Sequence, residues 1–114
     1  MVDPVPFKRP VNWQRLRSDD AERIIRQRSQ DTDNIVLTTH AMERMEERGI
    51  PEPDVHRILQ AGQIEGVPER DGAAWKVTMV RHLPQGREAG VVTAIVQDDR
   101  KVVVVTVEWM DLFR

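Results

Sequence analysis

Residues 38–62 read TTHAMERMEERGIPEPDVHRILQAG, and this stretch decides the fold. Threonine is a good helix N-cap, so Thr38 or Thr39 is expected to start a helix. Gly49 is expected to end that helix, since glycine readily adopts the left-handed conformation of a C-terminal cap. The prolines that follow fit the first turn of a second helix, which Gly62 closes. The stretch therefore predicts two short helices in succession.

After this pair the pattern changes to that of strands. Residues 75–79 alternate between apolar and polar side chains, which is typical of a half-buried strand. Two runs rich in β-branched residues, 91–96 and 102–107, flank a polar turn and predict a hairpin. A weaker strand is expected at 63–67. Helices followed by about four antiparallel strands predict an α+β fold.

The segment upstream of the pair differs in character. Its first residues carry three prolines and predict an extended arm. Apolar residues at helical spacing then predict a basic amphipathic helix over about 12–28, where Ser18 can cap a second piece if the helix breaks. Residues 35–37 fit either a brief strand or a lead-in to the next helix. We therefore divide the chain into an arm and helix, 1–34, and an α+β domain, 35–114.

Composition limits the classes of function. The chain is 39% hydrophobic, 32% charged and free of cysteine, which excludes disulfides and thiolate metal sites and fits a reducing cytoplasm. No apolar segment is long enough for a signal peptide or a membrane span. The net charge is −2, made up of +3 in residues 1–30 (seven basic, four acidic) and −5 in the rest. This balance argues against a strongly basic nucleic-acid binder and leaves room for a local basic patch.

The first helix of the pair carries the most specific arrangement of polar residues. His40, Arg44 and Arg48 are spaced by four residues and lie along one side of a helix. Imidazole transfers protons near neutral pH, and guanidinium binds phosphate through two parallel hydrogen bonds. The stripe is thus a candidate acid–base group beside a phosphate clamp. The alternative is ordinary surface chemistry, in which the arginines pair with neighbouring glutamates and the histidine bonds a backbone carbonyl.

These residues also resemble a known family. The pattern of the helical pair is similar to domain-of-unknown-function family 4258, and Val105-Thr106-Val107 followed by Trp109 resembles that family's last strand. The matching residues of the pair are His40, Ala41, Arg44, Met45, Arg48, Gly49, Ile50, Val55, Ile58, Leu59 and Gly62. The family is similar to the RelE-like group of small bacterial toxins, which includes barnase-like and colicin-like RNases. The resemblance implies helices followed by an antiparallel sheet, and RNA cleavage without a metal. The chain departs from the active pattern because it is acidic and has no tyrosine.

A nuclease of this kind needs cations and proton-transfer groups on its sheet. Lys76, Arg81 and His82 lie on one predicted strand, and Arg87 lies in the loop predicted at 83–90, where it can contact nucleic acid. His40 or His82 can serve as acid and base, with the other cations around the phosphate. The alternative is that Lys76 simply belongs to the solvated face of a one-sided sheet.

The partners and cofactors expected from the sequence follow from these features. The three histidines lack metal-ligand spacing, so neither metal nor cofactor is expected. Expected partners are an RNA substrate, and an antitoxin or second copy docked through the N-terminal helix. That helix can equally pack on the chain's own sheet, and the whole scaffold can instead be an inactive protein-interaction module.

Overall fold

We describe a computed structural model of the chain, which defines residues 10–113. Three α-helices, five β-strands and two short 3-10 helices make up this part of the chain. In chain order they are α1 (Ser18–Ser29), a 3-10 turn (Thr32–Asn34), β1 (Ile35–Leu37), α2 (Thr39–Arg48), α3 (Glu52–Ala61), β2 (Gln63–Asp71), β3 (Ala74–His82), β4 (Glu88–Ile95), β5 (Val102–Trp109) and a final 3-10 turn (Met110–Phe113).

The five strands form one mixed sheet in the order β1-β5-β4-β3-β2. The four long strands are antiparallel neighbours, whereas β1 runs parallel to β5 at the edge. The predicted α+β class is confirmed, with one strand more than expected. The additional strand is Ile35–Leu37, one of the two possibilities considered for this segment. The sheet is mixed because this strand pairs with β5 in parallel.

The helix predicted over about 12–28 is wrong in its first part. Asn12 accepts hydrogen bonds on its side-chain oxygen from the backbone N–H groups of Gln14 and Arg15, at 3.0 and 3.3 Å. Such a local turn competes with helix formation. The helix α1 starts only at Ser18, and the cap position is Arg17, without a side-chain cap hydrogen bond.

The ends of α2 agree with the sequence. The Thr38 hydroxyl oxygen accepts a hydrogen bond from the Ala41 N–H at 3.1 Å, and the same hydroxyl donates to the Val104 carbonyl at 2.8 Å. Thr38 thereby caps α2 and fixes its start to β5. Gly49 adopts a left-handed conformation, with φ 65°, and ends the helix. Both predicted boundaries are confirmed.

Helices and sheet share one hydrophobic core. The inward sheet face contributes Trp75, Val77 and Met79, whereas Lys76 and Thr78 point to the other face. The helices contribute Ala21, Ile24, Ile25, Ala41, Met45, Val55, Ile58 and Leu59 to the same core. The apolar side of α1 is therefore covered within its own chain, as the alternative for this helix predicted, and docking of an antitoxin or second copy through the helix stays a prediction. The boundary between 34 and 35 stays a prediction. None of the helices within residues 10–113 is long and apolar enough to cross a membrane.

Candidate functional site

A cavity of about 230 Å³ opens where β3 ends, β4 begins and α3 ends. We call it the His82 cavity. Its lining residues are Ala61, Gly62, Gln63, Val80, Arg81, His82 and Glu88. Two of the predicted site residues, Arg81 and His82, therefore line one cavity.

The connection between β3 and β4 positions this site. The loop 83–87 is closed by hydrogen bonds from the Leu83 N–H to the Arg87 carbonyl and from the Gly86 N–H to the Leu83 carbonyl, both 2.8 Å. His82 and Glu88 are consequently cross-strand partners, directly opposite one another. Side chains in such positions lie close enough to interact.

His82 and Glu88 form an ion pair when the histidine is protonated. His82 Nε2 lies 3.3 Å from Glu88 Oε2. The histidine side chain is 76% exposed and the glutamate side chain only 11%, so a buried carboxylate holds a solvent-accessible imidazole. A histidine oriented by a carboxylate is a common arrangement for proton transfer.

Arg81 supplies positive charge at the same place. It lies at the end of β3 on the inward side of the sheet, yet the residue is exposed because the strand ends there. Its Nη1 donates to the Ala61 carbonyl at the C-terminus of α3, at 3.2 Å. A guanidinium has five N–H donors, so this single bond leaves most of them available for a ligand.

Gly62 allows α3 and β3 to come this close. A Cβ atom added at Gly62 would lie 2.7 Å from the Val80 carbonyl oxygen and would also strike the Ile58 carbonyl. Only glycine fits between these two backbone segments without displacing one of them. The wall of the cavity thus depends on this residue.

Lys76 does not belong to the His82 cavity. It lies on the outward face of β3, opposite Ala94, six residues before His82. Six residues of strand span about 20 Å, beyond the reach of a lysine side chain. Its partial burial and outward position correspond to the solvated sheet face considered from sequence.

The predicted stripe on α2, made up of His40, Arg44 and Arg48, also lies apart from the cavity; we call it the α2 stripe. Helix α2 packs on β5, and β4 separates β5 from β3, so the offset in the sheet plane is about 10 Å. His40 is exposed in the first turn, and Arg44 is ion-paired with Glu47. Arg48 Nη1 lies 4.0 Å from the same glutamate. The surface pairing considered as the alternative is therefore present for Arg44, whereas Arg48 Nη1 is buried and makes no hydrogen bond.

Arg87 makes contacts of its own beside the cavity. Its guanidinium lies 3.9 Å from the ring centroid of Trp109 and donates to both carboxylate oxygens of Asp111, at 3.1 and 3.2 Å. These hydrogen bonds are the main cause that lowers the pKa of the Asp111 carboxyl below its ordinary value. Arg87 is thus already paired with a carboxylate of its own chain and does not line the His82 cavity.

Glu88 is a residue of the candidate site that the sequence did not predict. The loop was predicted to extend to Gly90, which placed Glu88 in a turn rather than in a strand. The length of the loop was the signal that could have revealed Glu88. A five-residue loop from Leu83 to Arg87 places residues 82 and 88 opposite each other on β3 and β4. Within residues 10–113, no group of three or more histidines, aspartates and glutamates is arranged to hold a metal ion.

Comparison with known proteins gives a match to a family model. Neither the curated proteins nor the solved structures contain a significant match to the chain. A family model, described as a domain of unknown function (DUF4258), matches residues 37–109. This range covers more than half of the chain and runs from the end of β1 to the end of β5. The chain belongs to the DUF4258 family.

Proposed function

We propose that the chain is a metal-independent endoribonuclease with its active site in the His82 cavity. The observation that carries the proposal is the pairing of His82 with the buried carboxylate of Glu88, beside Arg81, in a cavity open to solvent. Among the predicted site residues, Arg81 and His82 are the two that line this cavity. RNA cleavage by the 2′-hydroxyl needs a base, an acid and a cation at the phosphate, and these three residues supply that set.

The pair can carry out the proton transfers in a balanced cycle. The Glu88 carboxylate takes the proton of the 2′-hydroxyl while the 2′-oxygen attacks phosphorus. The bond from phosphorus to the 5′-oxygen breaks, and protonated His82 gives its proton to that oxygen. The products are a 2′,3′-cyclic phosphate and a free 5′-hydroxyl. A proton then passes from Glu88 to His82 across the 3.3 Å contact, which restores the starting state.

Arg81 stabilises the negative charge that develops on the phosphate oxygens. A preorganised cation in a partly desolvated site contributes more there than it does in water. The bond to the Ala61 carbonyl holds the guanidinium at the cavity wall before substrate arrives.

The test is cleavage of single-stranded RNA by purified protein in excess chelator. We expect His82→Ala and Glu88→Gln each to lower the rate by about 10²–10⁴-fold, the usual contribution of general acid–base catalysis. His56→Ala is the matched control, because His56 forms the same kind of pair with Glu52, at 3.6 Å, on the surface of α3. A folded wild-type protein that leaves RNA intact would refute the proposal.

The α2 stripe is an alternative location for the active site. The same assay distinguishes it from the His82 cavity. If the stripe is catalytic, His40→Ala combined with Arg44→Ala abolishes cleavage and His82→Ala leaves it intact. The proposal requires the reverse. Growth after induced expression tests the toxin role: arrest by the wild type, relieved by Glu88→Gln, is expected.

A second candidate function, a protein-interaction module, is favoured by the outward sheet face. Val36, Ala94 and Val103 lie in one row across β1, β4 and β5, and Val92 follows in the next row. All four are only partly buried, and Lys76 continues the row beside Ala94, so residues 10–113 leave a mixed face of valine, alanine and lysine open. Self-association through this face would appear as a dimer in sedimentation experiments. In that case Val103→Lys would restore the monomer, whereas a wild-type monomer at all concentrations would argue against self-association.

A further inference from the structure

A second and larger cavity lies at the opposite end of the sheet. Its volume is about 460 Å³, within the range of small-molecule sites. The wall includes Trp13, Gln14, Arg70, Trp75, Gln97 and Asp98. Trp75 precedes His82 by seven residues of β3, a distance of about 24 Å, so this Trp13 cavity is separate from the candidate active site.

Hydrogen bonds fix the aromatic wall. Trp75 Nε1 and Arg70 Nη1 both donate to the Trp13 carbonyl, at 2.8 and 3.1 Å. The segment before α1 is therefore tied to β2 and β3. Trp75 is 8% exposed, whereas Trp13 is only partly buried. Trp13 also packs against the core, and the Arg28 guanidinium lies 5.5 Å from its ring centroid, so a ligand can use only the part of the indole that lines the cavity. An aromatic surface held in place in this way stacks on a planar ligand at little entropic cost.

The polar groups of this cavity are of two kinds. The Arg70 guanidinium lies 5.1 Å from the centroid of the Trp75 ring and donates from Nε to the Gly72 carbonyl at 2.8 Å. These bonds orient a cation that keeps donors for an anionic group. Asp98 is exposed and makes no hydrogen bond or ion pair with any residue in the range 10–113. The cavity thus combines an indole surface, an anion receptor and an unpaired carboxylate acceptor.

We propose that the Trp13 cavity binds a purine nucleotide, with guanine preferred over adenine. The base stacks on Trp13, the phosphate binds Arg70, and the Asp98 carboxylate accepts hydrogen bonds from the Watson–Crick edge. Guanine presents two N–H donors on that edge, which a carboxylate accepts together. Adenine presents an acceptor at the corresponding ring nitrogen and is disfavoured. This binding does not depend on the ribonuclease proposal.

The test is a titration with guanosine monophosphate followed by NMR of the three tryptophan indole N–H groups. We expect saturable shifts of the Trp13 and Trp75 signals and none of Trp109, which lies at the far end of β5 and serves as the internal control. Arg70→Gln should weaken binding about tenfold or more and reduce it to that of guanosine. Asp98→Asn should abolish the preference for guanosine monophosphate over adenosine monophosphate.

Two neighbouring residues provide matched control variants. Asp99 and Arg100 lie in the same turn as Asp98 and do not line the cavity, so Asp99→Asn and Arg100→Gln should bind as the wild type does. The absence of saturable shifts in the millimolar range would overturn the proposal. Equal shifts at all three indoles, or equal binding by Asp98→Asn with its guanine preference intact, would overturn it as well.

Discussion

Replacement of Gly62 by alanine tests the closeness of α3 and β3. The backbone of Gly62 has φ −76° and ψ −179°, which any residue adopts. From conformational entropy alone, a change from glycine to alanine at such a position would stabilise the protein by about 0.4–1 kcal/mol. The available space predicts instead that alanine destabilises the protein, since the new Cβ would lie 2.7 Å from the Val80 carbonyl oxygen.

The atoms that meet this Cβ belong to the backbone, so no flexible side chain can move away. The nearest of these atoms is the Ile58 carbonyl oxygen within α3, so the last turn of α3 must change as well as its distance from β3. Shifts of this kind cost about 1–3 kcal/mol. Urea unfolding followed by circular dichroism measures the change. We expect a lower midpoint with an unchanged slope.

Gly90 provides the matched control for this experiment. A Cβ at Gly90 would also be crowded, at 2.9 Å from Cγ of Met110, but methionine is flexible and can repack. Gly90→Ala should therefore cost clearly less than Gly62→Ala. A neutral or stabilising Gly62→Ala would refute the described approach of α3 to β3, and with it the shape of the His82 cavity.

Two further predictions concern the start of α2 and the end of the chain. Thr38→Ala removes both a helix cap and the hydrogen bond to Val104, and should lower the free energy of unfolding by about 1–2 kcal/mol, whereas the exposed Thr39→Ala should change it little in the same urea experiment. Asp111 has a lowered pKa because of Arg87, so the stability from this pair is present above the ordinary pKa of aspartate and is lost as the pH falls through the lowered value. Asp111→Asn should remove that dependence from a series of unfolding curves at acidic pH; an unchanged series would contradict the pairing.

The sequence predicted those features that depend on local chemistry. The start of α2 at Thr38 and its end at Gly49 follow from cap preferences of single residues, and both were correct. The helix predicted from about residue 12 failed because periodicity does not reveal that the Asn12 side chain closes a turn. A local competing hydrogen bond of this kind is visible only when the backbone is known.

The site was harder to predict because strand pairing brings distant residues together. Arg81 and His82 were predicted as site residues, but Glu88 was assigned to a loop. The register of β3 against β4 depends on where that loop closes. Lys76 was grouped with His82 since both share a strand face. Alternation along the sequence shows that Lys76 and His82 share a face of the strand. It does not reveal that about 20 Å of β3 separates them.

The most recognisable part of the sequence and the candidate active site overlap only at Ala61 and Gly62, where α3 ends. In the helical pair that identifies the family, Ala41 and Ile50 are fully or almost fully buried in the core, and the Arg48 carbonyl accepts a 2.8 Å hydrogen bond from Trp109 Nε1. These contacts attach α2 to β5, so they give a structural reason for the buried positions of the pattern but not for the exposed His40. The His82 cavity instead depends on a loop length and on one glycine. Substitutions of Arg81, His82 and Glu88 therefore test function, whereas substitutions at Gly62 and at the buried positions of the helical pair first test folding.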